Sequence, residues 1–188
     1  MSVPLCVWMH YIYLMNYSID KSLEILDRTP RILETYLGDL SDEWIFCNEG
    51  DETWNAFDIV GHLIHGEKTD WIPRLKIILD DSENKTFKPY DRFAQFNESK
   101  GKSIRQLLEE FSKLREQNIE FLKSLNISET DFNKKAIHPS LGEVTLKNLL
   151  ATWVAHDLGH ISQVSRVMAK QYKDEVGPWI EYISILNK

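Results

Sequence analysis

Four long stretches of the chain repeat hydrophobic residues every three to four positions, which is the spacing of amphipathic helices. They span residues 18–40, 54–81, 103–125 and 145–172. No stretch of useful length alternates hydrophobic and polar residues, as a half-buried strand would. We therefore predict an all-α fold, and four substantial helices with one long crossover indicate a four-helix bundle.

Residues that commonly begin or interrupt helices occur at the ends of these stretches or inside them. Asn55, Ser103 and Thr145 each precede a helical stretch and are expected to be N-caps, because their side chains can accept free backbone N–H groups. Pro30 and Pro73 lie inside stretches and are expected to kink or divide them.

Two polar segments separate the predicted helices. Residues 82–102 contain Pro and Gly and form a long connection, and such connections in compact domains often have a function. Here the connection could cover a site as a lid. Residues 126–144 are predicted to be a loop, with a short extended stretch before the turn in "HPSLGE".

The first fourteen residues form an apolar run that shares no pattern with the helices. The run lacks the basic start of a secretory signal, and it is too short to span a bilayer. We predict that residues 1–14 are an extension upstream of a start at Met15, and that residues 15–188 form a single domain. The alternative is that residues 1–14 form a short anchoring or partner-binding helix.

The charge of the chain limits its partners. It has 22 basic and 29 acidic residues, for a net charge of −7, which disfavours binding to nucleic acid or to an anionic membrane. Cys6 and Cys47 match no metal or redox spacing, which is typical of a reducing cytoplasm. We expect a cytoplasmic protein with a small-molecule substrate, and leave open whether it forms a homodimer.

Two histidines lie on the apolar side of the last helical stretch, in "ATWVAHDLGH". Residues four apart are separated by about 40° around a helix, so His156 and His160 share a face, and Gln163 lies on the same stripe. Their neighbours are apolar, so this face is expected to turn into the bundle. Two imidazoles at this spacing can bind one metal ion.

A third ligand must come from another helix, because a catalytic metal site has three protein ligands and one open position. His62 and His65, in "FDIVGHLIHGE", are the candidates. The alternative for each is a core histidine whose hydrogen bonds are satisfied. His10 and His138 lie in the N-terminal run and in a turn, and rank behind this pair.

Three further polar residues could orient an imidazole or take a proton at such a site. They are Asp58, Asp157 and Gln163, and the alternative for each is a solvated or helix-facing side chain.

Other residues could surround the site. Arg74, Arg92 and Arg166 could bind carboxylates of a small thiol or be surface charges, whereas Trp54 and Trp153 are expected in the core.

Two sequence motifs resemble the DinB/YfiT-like family of metal-dependent proteins. The stretch "HPSLGEVTLKNLLATWVAHDLGHISQVSRVMAKQY", followed by "VGPW", is similar to the C-terminal half of that family. The stretch "WNAFDIVGHLIHGE" resembles its second-helix motif, in which a Trp precedes a His by about eight residues. The resemblance covers residues 18–182, and the C-terminal motif is the more specific of the two.

This resemblance implies a bundle with up-down-down-up topology and a metal ion on His62, His156 and His160. His65 does not match a ligand position of the family and is expected beside the site with Asp58, Asp157 and Gln163. Characterised relatives are S-transferases that use bacillithiol or isomerases that use mycothiol. The resemblance assigns no catalytic residue beyond the metal ligands.

Three neutral imidazoles would leave a divalent ion, zinc or nickel, its full charge, so that it acidifies a bound water or thiol. Such an ion could deliver either a hydroxide or a thiolate to an electrophile, and the residues alone do not choose between them. The resemblance to relatives that use thiols implies a metal-dependent thiol S-transferase that acts on small electrophiles, with a low-molecular-weight thiol as co-substrate. The alternatives are a metal-dependent hydrolase with the same site, and a non-enzymatic stress-response protein that binds a metal or small ligand.

Overall fold

The computed structural model describes residues 15–187. The predictions made for residues 1–14, as an extension or as an anchoring helix, lie outside the described residues. Within residues 15–187, no helix is both long enough and apolar enough to cross a membrane.

The four predicted stretches form the helices of a four-helix bundle, and the mostly helical fold is confirmed. The second stretch is divided into two helices, and shorter elements lie in the connections. In chain order the elements are α1 (Ile19–Leu37), α2 (Asp42–Phe46), α3 (Ala56–Thr69), α4 (Trp71–Leu79), α5 (Ala94–Glu98), α6 (Ile104–Ser124), β1 (Lys135–His138), β2 (Gly142–Thr145) and α7 (Leu146–Lys170). Short 3-10 helices span Asp131–Asn133, Gly177–Tyr182 and Ser184–Asn187.

All three predicted N-caps are confirmed. The side chains of Asn55, Ser103 and Thr145 each accept the backbone N–H three residues further on. In each case the side chain of the third helical residue accepts the backbone N–H of the cap, which completes a capping box.

The two prolines behave differently. α1 continues through Pro30, which is buried inside it. The second stretch is divided at Asp70, three residues before Pro73. A proline ring collides with the carbonyl four residues earlier, here that of Thr69, so α3 ends there and Pro73 lies in the first turn of α4.

Two hydrophobic clusters at opposite ends of the bundle fix the direction of each helix. One cluster joins the N-terminal halves of α1 and α7 to α4 and the C-terminal half of α6. The other joins the C-terminal halves of α1 and α7 to α3 and the N-terminal half of α6. The order is therefore up-down-down-up. Because α3–α4 and α6 run in parallel, residues 80–103 must return along the whole bundle.

The connections contain more structure than the sequence pattern predicted. The extended stretch before the "HPSLGE" turn is confirmed as β1, and it pairs antiparallel with β2. The long connection contains α5 and also touches the hairpin, since Thr86 bridges to Ile137. Short elements of this kind leave no periodic pattern in a sequence.

Candidate metal centre

Three histidines converge between α3 and α7, in a polar layer that separates the two hydrophobic clusters. The Nε2 atom of His156 lies 3.0 Å from Nε2 of His62 and 3.1 Å from Nε2 of His160. One ring nitrogen of each residue lies within 4.8 Å of the other two. The structure thus brings both histidines of α7 together with the first histidine of α3.

Gln95 of α5 determines which nitrogen of His62 carries the proton. Its Oε1 lies 3.0 Å from His62 Nδ1, and its amide nitrogen donates to the carbonyl of Asp58 at 3.5 Å. The reversed amide would place two carbonyl oxygens against each other. Nδ1 of His62 therefore donates to Gln95, and its Nε2 turns a lone pair toward the other histidines.

His160 has a similar support. Oε1 of Gln163 lies 2.8 Å from its Nδ1, so the Nδ1 proton is bound there and the Nε2 lone pair faces His156. The structure places Gln163 against a histidine of the cluster, as the sequence suggested. Nδ1 of His156 is buried and has no hydrogen-bond partner within residues 15–187.

Burial keeps the three imidazoles neutral. Desolvation, assisted by the nearby His160, lowers the pKa of His62 to about 4 and that of His156 to about 3. Desolvation also lowers the pKa of His160. The Nε2 atoms of His62 and His160 each direct a lone pair at His156. A neutral His156 can carry only one proton on its Nε2, so it can donate to only one of these two lone pairs. A cation between the three nitrogens satisfies all of them, so these residues fit a divalent metal ion.

α5 lies directly against α3 at Gly61. A Cβ atom at this position would lie 2.5 Å from Oγ of Ser99. Glycine therefore permits the approach that brings Gln95, which is 1% exposed, to His62.

His65 lies one turn beyond His62 and has different neighbours. Its Nδ1 is 3.0 Å from Oε1 of Glu98. The ring of Tyr90 meets both imidazoles edge-on, and its hydroxyl oxygen lies 3.2 Å from His62 Nδ1. Burial, with the carboxylates of Asp70 and Glu98, raises the pKa of Tyr90, so this hydroxyl stays protonated.

A buried ion-pair network adjoins the histidines. Arg115 of α6, 1% exposed, donates to Glu67 of α3 at 2.8 Å, to both carboxylate oxygens of Asp157 of α7, and to the Leu26 carbonyl of α1. The indole N–H of Trp153 also donates to Glu67. All four long helices of the bundle thus contribute to one network. Its two carboxylates and one guanidinium give a net charge of −1, which favours a cation nearby.

A comparison with protein families identifies the family of this chain. The family model of the DinB superfamily matches residues 25–164. The chain belongs to the DinB superfamily. No curated protein matches this DinB-superfamily chain.

One similar solved structure is that of YfiT from Bacillus subtilis, described as "a probable metal-dependent hydrolase with an unusual four-helix bundle topology". The TM-score is 0.70 at 20% sequence identity, over 86% of this chain and 93% of that chain. At this identity the likeness shows that the two proteins share the fold.

Two carboxylates that were predicted beside the site in this DinB-superfamily protein have other partners. The Asp58 side chain accepts the backbone N–H of Asn55 in the capping box, and only its carbonyl reaches the site, through Gln95. Asp157 is directed at Arg115 and is fully buried. A buried carboxylate needs a cation or several donors, and the adjacent guanidinium supplies both.

The two tryptophans differ from each other. Trp54 was predicted in the core, but it forms part of the site wall, with its ring centroid 4.8 Å from that of His62. Trp153 is fully buried and stacks on Trp71 as a core residue should.

Four residues of the site were not identified from the sequence. Arg115 had a usable signal, because it lies four residues from both Phe111 and Ile119 on the apolar stripe of α6. A cation in that position requires a buried partner, and Glu67 is that partner. Gln95 and Tyr90 lie in the long connection, where no periodicity marks individual side chains.

A cavity of about 930 Å³ opens onto the three histidines. The long connection contributes Pro89, Tyr90, Arg92 and Phe93 to its wall, and the tip of the hairpin contributes residues 138–140. The long connection therefore covers part of the site, as the sequence suggested for a functional segment. The wall also includes Trp54, Arg74 and Arg166.

Proposed function

We propose that this protein is a metal-dependent enzyme that activates a small thiol and transfers it to a small electrophile. The observation that carries the proposal is the convergence of the Nε2 atoms of His62, His156 and His160 at the floor of a cavity. Three nitrogen ligands leave a coordination position free for a substrate.

The proposed cofactor is zinc or, second, nickel, since neutral imidazole suits both ions. A divalent ion held in this way would lower the pKa of a thiol or water in its free position. Gln95 and Gln163 would orient two of the rings through their Nδ1–H groups. Such outer contacts fix the tautomer and direction of a ligand and strengthen metal binding.

The size of the cavity supports transfer between two small molecules. Its volume of about 930 Å³ lies near the upper end of the roughly 300 to 1,000 Å³ that one drug-sized ligand occupies. A small thiol and an electrophile would fit together. Trp54, Trp71 and Tyr90 line the cavity and would exclude water from the nucleophile.

The test combines metal analysis with thiol consumption on a panel of electrophiles. We expect one divalent ion per chain and turnover that requires both the ion and a small thiol. The rate should vanish on chelation, return when the metal is restored, and rise with pH until the thiol is fully ionised. A His156→Ala variant should lose both the metal and the turnover.

A hydrolase with the same site is the second candidate, and the similarity to YfiT favours it. Metal-dependent turnover of an ester or amide without any thiol, at a comparable rate, would establish this alternative. A folded and fully metallated protein that turns over neither kind of substrate would instead be a binding protein.

A further inference from the structure

Tyr90 lines the cavity and carries a hydroxyl that contacts His62. Its oxygen lies 3.2 Å from Nδ1 of His62. Because that nitrogen already carries the proton donated to Gln95, the hydroxyl can only accept there. Its own proton has no other acceptor within residues 15–187. Tyr90 lines the cavity, so this proton is free for a ligand that enters it.

His138 offers a second donor by the same reasoning. Its Nδ1 accepts the backbone N–H groups of Ser140 and Leu141, at 3.1 and 3.2 Å. A neutral imidazole with an accepting Nδ1 carries its proton on Nε2. Desolvation, together with the charge of Arg74, lowers the pKa of His138, which keeps the ring neutral. This Nε2–H has no acceptor among the residues that the structure describes.

Arg92 differs from the other two arginines of the cavity. Arg74 lies 2.6 Å from Asp70, and Arg166 lies 2.6 Å from Glu49. Arg92 has no carboxylate within 4 Å in the described part of the chain, so its charge is available to a ligand.

Tyr90, Arg92 and His138 belong to one continuous wall. The long connection that carries Tyr90 and Arg92 is held to the hairpin that carries His138 by the backbone pairs of Phe87 and Lys85 with Ile137, at 2.9 and 2.7 Å.

We infer that this wall binds the carboxylate of a small-molecule ligand, with Tyr90 and His138 as hydrogen-bond donors and Arg92 as the counter-charge. Two donors and one cation without partners among the described residues suit a ligand with acceptor oxygens and negative charge, which a carboxylate supplies. Glu52 is a lining carboxylate, but it lies on the segment before α3 rather than on this wall. The inference rests on the proposed function only in taking this ligand to be the substrate.

Benzoate and its neutral analogue benzamide are suitable probes, because the exposed ring of Phe93 and the ring of Trp54 also line the cavity. Ligand-observed NMR titrations would measure both dissociation constants on the full chain, with and without one equivalent of zinc. We expect benzoate to bind at least tenfold more tightly than benzamide in both states. In chelated protein neither probe can contact the metal, so a failed metal site would not remove the preference for benzoate over benzamide.

Three variants each remove one interaction. Tyr90→Phe deletes only the hydroxyl, and His138→Asn keeps an acceptor near the position of Nδ1 while it deletes Nε2–H. Each should weaken benzoate about three- to tenfold and benzamide by less, because hydrogen bonds to the neutral amide oxygen are weaker than those to a carboxylate. Arg92→Gln should weaken benzoate about threefold, because an exposed charge contributes less.

Two charge variants serve as controls. Lys88→Gln removes an exposed cation of the same connection outside the cavity and should leave benzoate binding unchanged. Glu52→Gln should leave it unchanged or tighten it.

Equal affinity for benzoate and benzamide would overturn the inference, as would the absence of benzoate binding. It would also be overturned if Tyr90→Phe and Arg92→Gln bound benzoate like Lys88→Gln. If His138→Asn fails to fold, Tyr90→Phe and Arg92→Gln are enough to test the inference.

Discussion

His62 and His65 lie one turn apart on α3, yet only His62 turns its Nε2 toward His156, at a distance of 3.0 Å. His65 instead contacts Glu98 on the long connection. We therefore expect His62→Ala to lose most of the bound metal and His65→Ala to keep it. Metal content per chain after desalting measures both variants, and each is the control for the other. The reverse result would move the third ligand to His65.

Gln95 should control metal affinity although it does not contact the ion. Gln95→Leu removes the acceptor that fixes the His62 tautomer, so we expect metal affinity to fall about 10- to 100-fold. Competition against a chromogenic chelator measures the change. Asn97→Leu, an exposed substitution on the same helix α5, should have no effect. Equal affinity in Gln95→Leu and the wild type would mean that the ring is held by packing alone.

Arg115 should be essential for folding stability. Arg115→Met leaves Glu67 and Asp157 buried without a counter-charge, and we expect a loss of about 3 to 5 kcal/mol in the free energy of unfolding. Urea denaturation of metal-free protein measures the loss. Arg105→Met breaks an exposed pair with Asp39 and should change stability by less than about 1 kcal/mol. A similarly small effect at position 115 would show that the buried network contributes little net stability.

The fold was largely predictable because its main elements are long and periodic. The capped starts of α3, α6 and α7 and the divided second stretch follow from local patterns at Asn55, Ser103, Thr145 and Pro73. Hydrophobic periodicity alone could not predict the helix directions, because it does not show which end of one helix packs beside which end of another. The family resemblance supplied that order, and the two hydrophobic clusters confirm it.

The candidate site was predictable only where it lies on long helices. His156, His160 and Gln163 share a stripe of α7, and helical geometry alone places them together. Asp157 was assigned to the site from proximity along the chain, but its side chain leaves α7 on another side, toward Arg115. Gln95 was missed because an irregular crossover carries it to His62.

The ion pair between Glu49 and Arg166 should make stability depend on pH. The hydrogen bond from Arg166 lowers the pKa of Glu49 below its ordinary value of 4.5 in the folded state. The pair therefore stabilises the fold fully above that value, and its contribution is lost as the pH falls through the lower folded-state pKa.

Glu49→Gln should thus destabilise the protein by about 1 kcal/mol at neutral pH, with the difference from the wild type shrinking in acid. Thermal melts of metal-free protein across the acid range measure it. Glu43→Gln, at an exposed position on α2, should show no such trend. A difference that stays constant with pH would rule out the ion pair as its source.

The crossover between α4 and α6 joins two equilibria that would otherwise be independent. It carries Gln95, which holds His62, and also Tyr90 and Arg92, which face the cavity. If metal binding orders this segment, a ligand that then enters the cavity no longer has to supply the free energy of ordering it, and the reverse also holds. Binding free energies form a closed cycle, so the factor by which metal tightens the cavity ligand equals the factor by which that ligand tightens metal. Substrate would therefore raise the affinity of the protein for the ion, and removal of the ion would weaken substrate binding by the same factor.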